Sequence, residues 1–227
     1  MEGIEYFRSL PYEHTHGVNI FTFHLLDVLY SANELATVEL LIKSQIDSAH
    51  GFVGNHLFRY HEQLLRVRLY QGKINEVEAL LGWMEKKGGR LDQPFVKERT
   101  AIYRIYLAIL IDEKVSLRKM HYRLNRIPRS NVVVIAPFLI GKVIYHLVHS
   151  NFEKAEQETI QLGNYTKVYQ DSISARSVSF IEYLKSIFDV RNIQVDIPKA
   201  TQIPARQDCE IINYDLLREI TDRVKVL

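Results

Sequence analysis

Apolar residues recur every three or four positions along most of this chain, which is the spacing of one face of an α-helix. Two such faces are the sets Phe21, Leu25, Val28, Leu29 and Leu57, His61, Leu64, Leu65, Leu69. Strand-like patterns are confined to two segments. At residues 131–135 a helix start capped by Ser130 or Asn131 is favoured and a strand is the alternative, and residues 193–197 alternate like a short strand and end at Pro198. The pattern therefore predicts an all-α protein.

Four junctions between predicted helices look alike. Each has an apolar helix end, two to four small or polar residues, and an apolar residue that opens the next helix; the junctions are Tyr30–Leu35, Leu69–Ile74, Leu110–Val115 and Leu147–Phe152. If Asn33, Gly72, Glu113 and Ser150 are taken as the turn residues, they are 39, 41 and 37 residues apart. A period between 20 and 50 residues indicates stacked helical units.

The repeated unit is a pair of helices, a long apolar A-type helix followed by a shorter B-type helix. We predict A-type helices at 18–31, 55–71, 97–112, 132–149 and 172–189, and B-type helices at 34–48, 74–87, 115–127 and 152–168. Residues 2–10 would be a lone B-type helix before the first pair. After the last A-type helix, the proline-containing segment 191–206 leads to a short amphipathic helix near 211–224.

The second junction resembles the middle of a tetratricopeptide (TPR) repeat, which has a glycine at the turn, an apolar residue two positions later and a small residue five positions after the glycine. These places are held by Gly72, Ile74, Val77 and again by Ser150, Phe152, Ala155, and more loosely by Asn33, Leu35, Val38. The third repeat departs, with Arg118 at the small-residue place, and the period is near 39 rather than 34. The chain is thus similar to degenerate, long-helix relatives of the family found in regulatory and scaffold proteins.

The resemblance implies a right-handed α-α superhelix, or solenoid, of about four helix-turn-helix repeats, whose concave side is lined by A-type helices and holds a peptide or partner helix. Because a helix pair cannot cover its own apolar faces, each pair must stack on its neighbours. We expect a repeat domain over 1–190, and a linker with a C-terminal capping or dimerisation helix over 191–227. The half-pairs at both ends fit either natural caps or a fragment of a longer regulator.

Composition narrows the classes of function. Apolar residues make up 47% of the 227 residues, charged residues 25%, and the net charge is +2, which argues against a globally basic nucleic-acid binder. The single cysteine, Cys209, excludes an internal disulfide framework. The most apolar stretch, 132–148, is interrupted by Pro137, Lys142 and His146, and it is shorter than the ~20 residues that span a bilayer. We expect a cytoplasmic protein without a membrane partner.

Candidate chemistry is sparse. His14 and His16 could supply two metal ligands, but a structural zinc site needs four. His61-Glu62 begins like the zinc motif His-Glu-x-x-His, but position 65 is leucine. Glycine-rich phosphate loops and serine-nucleophile motifs are absent from the sequence. We expect no metal, no cofactor and no enzymatic activity.

Two surfaces are candidates for partner binding. Counting back from the turns places a groove on the A-type helices, with aromatic and paired Arg and Glu side chains suited to a peptide: Arg59, Glu62, Arg66, Tyr103, Arg176 and Tyr183. The third B-type helix carries a basic stripe without an acidic residue between its members: Lys114, Arg118, Lys119, Arg123, Arg126 and Arg129. Each surface has a structural alternative. Tyr103 could belong to the ordinary core between repeats, and the stripe could be a solvated basic face.

The sequence therefore predicts a non-catalytic protein- or peptide-interaction module, the sensing or partner-binding part of a cytoplasmic regulator. The alternative is a helical-repeat protein that binds nucleic acid through the stripe at 114–129. The C-terminal segment is expected to fold back along the repeats and cap them, or to mediate a homodimer.

Overall fold

The computed structural model describes residue 5 and seven ranges of the chain: 15–32, 34–48, 55–88, 96–119, 127–189, 196–197 and 210–225. These residues are helical or lie in turns, and no strand occurs among them. The nine α-helices with described bounds are α1 Thr15–Ser31, α2 Leu35–Ser48, α3 Asn55–Tyr70, α4 Ile74–Gly88, α5 Val96–Ile111, α6 Val132–Val148, α7 Phe152–Tyr169, α8 Ala175–Ser186 and α9 Tyr214–Lys225. The predicted all-α class is confirmed.

The predicted alternation of A-type and B-type helices agrees with these bounds to within three residues at each end. Helices α1, α3, α5, α6 and α8 are the A-type helices, and α2, α4 and α7 are B-type helices. The strand alternative at 131–135 is wrong, because α6 begins at Val132. The predicted helix at 2–10 lies outside the described residues except Glu5, and the B-type helix at 115–127 is described only at 115–119 and 127.

All four predicted junctions contain the same backbone hydrogen bond, in which an amide reaches the carbonyl five residues earlier. The donor and acceptor pairs are Glu34 to Leu29 at 2.9 Å, Lys73 to Arg68 at 2.9 Å, Glu113 to Ala108 at 2.9 Å and Asn151 to His146 at 2.8 Å. This is the bond of a Schellman helix end, which requires a left-handed residue just before the donor. Gly72, Asp112 and Ser150 have the required positive φ.

The third turn differs from the prediction by one residue. Its left-handed residue is Asp112 (φ 53°), not Glu113. Counting five positions from Asp112 gives the half-buried Leu117, so an apolar residue does occupy the place that was assigned to Arg118, and Arg118 itself is exposed. The third repeat still departs from the pattern, because Leu117 is not small and the place two positions after Asp112 is held by Lys114. The turn was misplaced because aspartate tolerates the left-handed conformation and gives no glycine-like signal.

Each described helix packs against the next described one from α1 to α8. One apolar cluster joins α1, α2 and α3, and a second one joins α3 to α9. Helices α5 and α6 approach closely where α6 has no side chain: a Cβ at Gly141 would lie 3.1 Å from the Ile105 side chain. The Tyr106 hydroxyl donates to the Pro137 carbonyl at 2.8 Å across the same interface. The Tyr106 hydrogen bond and the close approach at Gly141 together fix the relative position of these two A-type helices.

Arg68 ties three successive helices together. Its guanidinium is 2% exposed and donates two hydrogen bonds to the Glu39 carboxylate of α2, at 2.6 and 2.7 Å. On the other side, Glu76 of α4 lies 2.7 Å from the same guanidinium. The Arg68 and Lys43 contacts lower the pKa of Glu39 from 4.5 to about 2. A buried charge thus fixes the register of α2, α3 and α4.

Replacing Glu39 should test this ion pair. Glu39→Gln should lower the free energy of unfolding by about 1–3 kcal/mol at pH 7, because a charge-assisted hydrogen bond is lost beside a buried guanidinium. Since the pKa of Glu39 is lowered in the folded state, its contribution is full above about pH 5 and disappears as the pH falls toward 2. Urea unfolding from pH 3 to 7 measures both effects. Glu156→Gln, at an exposed position of α7, is the control; equal effects in the two variants would contradict the role of Arg68.

A pair of glycine substitutions should test the close approach of α5 and α6. Gly141→Val should lower the free energy of unfolding by about 1–3 kcal/mol, since its side chain would be forced against Ile105. Gly82→Val in α4 should change stability little, because nothing lies within 4 Å of the added Cβ. Thermal unfolding of the two variants would contradict the packing if Gly141→Val were as stable as Gly82→Val.

Candidate partner-binding site

All six predicted groove residues lie on A-type helices. Arg59, Glu62 and Arg66 belong to α3, Tyr103 to α5, and Arg176 and Tyr183 to α8. The term A-helix face is used below for the surface that these six side chains share with the residues they contact. They fall into three groups with different surroundings.

Glu62 and Tyr103 form a buried polar cluster. The Glu62 carboxylate is 3% exposed, pairs with Arg99 of α5 and accepts a hydrogen bond from the Tyr103 hydroxyl at 3.1 Å. Burial, together with the Glu62 charge, raises the pKa of Tyr103. Sequence reasoning missed Arg99, although its place one turn before Tyr103 on the same helix was a usable signal. The interactions of Glu62 and Tyr103 shown here join α3 to α5.

Arg59 lies on the half-buried part of the face. Its guanidinium carbon is 4.5 Å from the centre of the Phe23 ring of α1, which itself stacks on Tyr60. Burial and the neighbouring Arg99 charge lower the pKa of Arg59. The guanidinium of Arg99 is paired with Glu62, so Arg59 is the cation of this part of the face that lies against an aromatic ring.

The third group contacts the C-terminal segment of the chain itself. The carboxylate of Glu210, which is 1% exposed, accepts hydrogen bonds from Arg176 at 2.9 and 3.2 Å and from the Tyr70 hydroxyl at 3.2 Å. Arg66 donates to the Glu210 carbonyl at 3.3 Å. Burial favours the neutral form of Arg176, but Glu210 and Asp215 outweigh it and raise the pKa of Arg176. The same Glu210 carboxylate accepts the Tyr214 amide at 2.8 Å, which organises the start of α9.

Helix α9 continues from this anchor along the A-type helices. The Tyr214 ring is fully buried and stacks on Phe180 of α8 with a centroid distance of 4.1 Å, and its hydroxyl lies 2.9 Å from that of Ser177. Farther along, the Tyr183 hydroxyl donates to Asp222 at 2.7 Å and lies 2.7 Å from the Thr221 hydroxyl. Helix α9 also packs against α6. The segment 210–225 therefore occupies part of the A-helix face.

The apolar positions of the C-terminal amphipathic segment, Ile211, Ile212, Leu216, Ile220 and Val224, are only partly buried. Ile211 and Ile212 are buried, but within α9 the buried residues include Tyr214, Leu217 and Thr221, whereas Leu216, Ile220 and Val224 are half-buried. Hydropathy undervalues tyrosine and threonine, whose polar atoms are satisfied here by Ser177 and Tyr183. Asn213 accepts the Asp215 amide at 2.8 Å and caps the helix at its first turn.

The basic stripe lies elsewhere. Lys114, Arg118, Lys119 and Arg129 are exposed, and Arg123 and Arg126 lie outside the described residues. None of the four described members forms an ion pair with another described residue. The expected pairing with acidic neighbours on B-type helices is therefore not seen in this part of the chain.

Two histidines, His61 and His149, lie in structural surroundings. The His61 ring stacks on Trp83 of α4 at 3.6 Å, and burial lowers the pKa of His61. His149 stacks on Tyr145, and its Nδ1 lies 2.9 Å from the Tyr145 carbonyl. In the described part of the chain, no three His, Cys, Asp or Glu side chains come together as a metal-binding group.

No protein-family model matches this chain, and no curated protein or solved structure matches it either. Within the described ranges, no helix combines the length and the apolar character needed to cross a membrane.

A double replacement should show what the Glu62 cluster does. Arg99→Leu alone should lower the free energy of unfolding by about 3–5 kcal/mol, because it leaves the Glu62 charge buried without its partner. The double variant Glu62→Leu with Arg99→Leu should recover most of that loss, since a matched apolar pair often replaces a buried ion pair without cost. Chemical denaturation measures both. Full stability of the Arg99→Leu variant would contradict the role assigned to the pair.

Proposed function

We propose that this chain is a non-catalytic interaction module, a degenerate TPR-like solenoid whose A-helix face binds a peptide or partner helix within a cytoplasmic regulatory protein. The recurring Schellman junctions and the packing of each helix on the next support the repeat architecture. A superhelical stack of this kind leaves one extended side lined by A-type helices. That side is where repeat proteins of this class hold their partners.

One observation carries the proposal: the A-helix face already holds a helical segment. Residues 210–225 lie on α3, α6 and α8 through a buried carboxylate, a stacked tyrosine and an apolar stripe. Those are the elements of a helix-in-groove interface, with a charged anchor and an aromatic residue buried near its centre. The face therefore has the chemistry that binding a helix requires.

The part of the face formed by α1 and α3 supports the same function. Arg59 lies over the Phe23 ring, with its guanidinium carbon 4.5 Å from the ring centre, and the neighbouring Arg99 is paired with Glu62. Arginine over an aromatic ring can bind a carboxylate through its planar edge while the ring covers its flat side. We expect an acidic side chain of the partner to bind here.

The basic stripe keeps nucleic acid as the second candidate, because its described members are exposed without an ion pair among the described residues. Phosphate contacts weaken steeply with added salt, whereas an aromatic-lined face that buries its charges depends on salt much less. Salt dependence therefore separates the two functions.

Peptide selection on the folded chain tests the proposal. Helical peptides selected from a displayed library against the full chain should bind with micromolar affinity and lose at least tenfold on Arg59→Glu, because the charge reversal repels the expected acidic anchor. Lys154→Glu makes the same charge change on the exposed side of α7 and should leave the affinity unchanged.

Two results would overturn this function. The first is a library that yields no peptide bound by the full chain or by its Glu210→Gln variant. The second is binding of a 20-nucleotide single strand that falls steeply with salt and is lost on Arg118→Glu, together with peptide binding that ignores Arg59→Glu.

A further inference from the structure

The segment 210–225 has the features of a ligand that the chain carries with it. We propose that it is a resident occupant of the A-helix face, and that the external partner is an amphipathic helix of the same chemistry, which displaces it. This inference rests on the proposed function and names the partner's chemistry.

The contacts of the segment define what the face recognises. A carboxylate four residues before a tyrosine meets Arg176 and Tyr70, and it also receives the amide of that tyrosine. An apolar residue here would take the acceptor away from the largely buried Arg176 guanidinium and from the Tyr70 hydroxyl, which is unfavourable, so this place on the face selects an acidic residue. The tyrosine ring then stacks on Phe180, and its hydroxyl meets Ser177.

A second anchor lies at the other end of the segment, at Thr221 and Asp222. The Tyr183 hydroxyl donates to the Asp222 carboxylate at 2.7 Å and lies 2.7 Å from the Thr221 hydroxyl. Arg218 lies over the Tyr183 ring, 5.2 Å from its centre. The face therefore accepts a partner with Glu, two aliphatic residues, a helix-capping residue and Tyr in succession, then Leu three positions after the Tyr and Thr seven positions after it. This is the pattern of Glu210, Ile211, Ile212, Asn213, Tyr214, Leu217 and Thr221.

The size of α9 makes displacement feasible. A helix of 12 residues is marginal by itself in water, so α9 depends on its contacts with the A-type helices. Its charged contacts are concentrated at Glu210, at the Asp215 contact with Arg176 and at the Tyr183 end. Ile211, Ile212, Tyr214 and Leu217 of the segment belong to the main apolar cluster, which also holds residues of α3 to α8. Weakening one of these anchors should loosen the segment without removing the packing of α1 and α2 on α3, which forms an apolar cluster of its own.

Covalent connection favours the resident segment. Only residues 198–209 separate Glu210 from Ile197, which is buried in the main core. A short connection of this kind gives the segment an effective concentration on the order of millimolar. An identical helix supplied in solution must compete with that concentration, so its binding to the intact chain is weak until the resident segment is loosened.

The experiment uses the full chain and a fluorescein-labelled peptide of residues 207–227. Binding is measured by fluorescence anisotropy to the unsubstituted chain, to Glu210→Gln and to the control Glu219→Gln, whose side chain is exposed on α9. Glu210→Gln should bind the peptide at least tenfold more tightly than the unsubstituted chain, because its resident segment has lost the charged anchor. Glu219→Gln should behave like the unsubstituted chain.

The reciprocal peptide tests the chemistry of the site. A peptide that carries Gln at position 210 should bind the Glu210→Gln chain at least tenfold more weakly than the natural peptide. Circular dichroism establishes that each variant keeps its helices. If Glu210→Gln unfolds the chain, Thr221→Val replaces it. This variant removes the Thr221 hydroxyl from its contact with Tyr183, and it should bind the natural peptide more tightly than the unsubstituted chain does.

Several outcomes would overturn the inference. Peptide binding that is absent from every folded variant would make 210–225 a fixed part of the core. Equal affinity of the Glu210→Gln chain for the natural and Gln peptides would also overturn the inference. A dimer that exchanges this segment between two copies and excludes added peptide would overturn it as well. If selected library peptides still bind and respond to Arg59→Glu, the proposed function survives this failure; if they also fail to bind, the proposed function fails with it.

Discussion

The burial of one carboxylate determines how the second half of this molecule is arranged. Glu210 is 1% exposed, and a charge so placed must be matched by donors within hydrogen-bond distance. Arg176 and Tyr70 supply those donors from two A-type helices that are more than a hundred residues apart in sequence. The carboxylate can be satisfied only if 210–225 lies across these helices, which is why α9 packs on the A-type side.

Buried ion pairs also set the register elsewhere in the chain. Arg68 joins α2, α3 and α4, the Glu62 pair joins α3 to α5, and Lys142 of α6 pairs with Glu158 of α7. Apolar packing between helices is tolerant of small shifts, whereas a buried charge and its partner are not. Each of these pairs therefore specifies which turn of one helix faces which turn of the next.

The sequence predicted the helices well because three features coincide: apolar spacing, turn residues and a period near 39. Gly72 and Ser150 were found as turn residues since their residue types favour left-handed turns or helix ends, but Asp112 was not, because an aspartate there looks like any exposed acid. The helix bounds followed from the apolar spacing together with these junctions. Periodicity reports which residues share a face; it does not report what covers that face.

That difference explains what was missed at the candidate site. Arg59, Glu62, Arg66, Tyr103, Arg176 and Tyr183 do share A-type helices, as predicted, but their partners come from distant parts of the chain. Glu62 meets Arg99, and Arg176 meets Glu210, which followed a linker-like segment and carried no local signal of burial. Pairings of this range are decided by tertiary packing, so a single sequence could name one side of each pair and not the other.

Amide hydrogen exchange of α9 tests most directly whether the chain occupies its own A-helix face through the Glu210 anchor. In the unsubstituted chain, the amides of residues 214–221 should be protected, and Arg176→Met should speed their exchange at least tenfold while residues 162–166 of α7 keep theirs. Exchange of residues 214–221 at the rate of an unfolded peptide in the unsubstituted chain, or no change on Arg176→Met, would contradict the account.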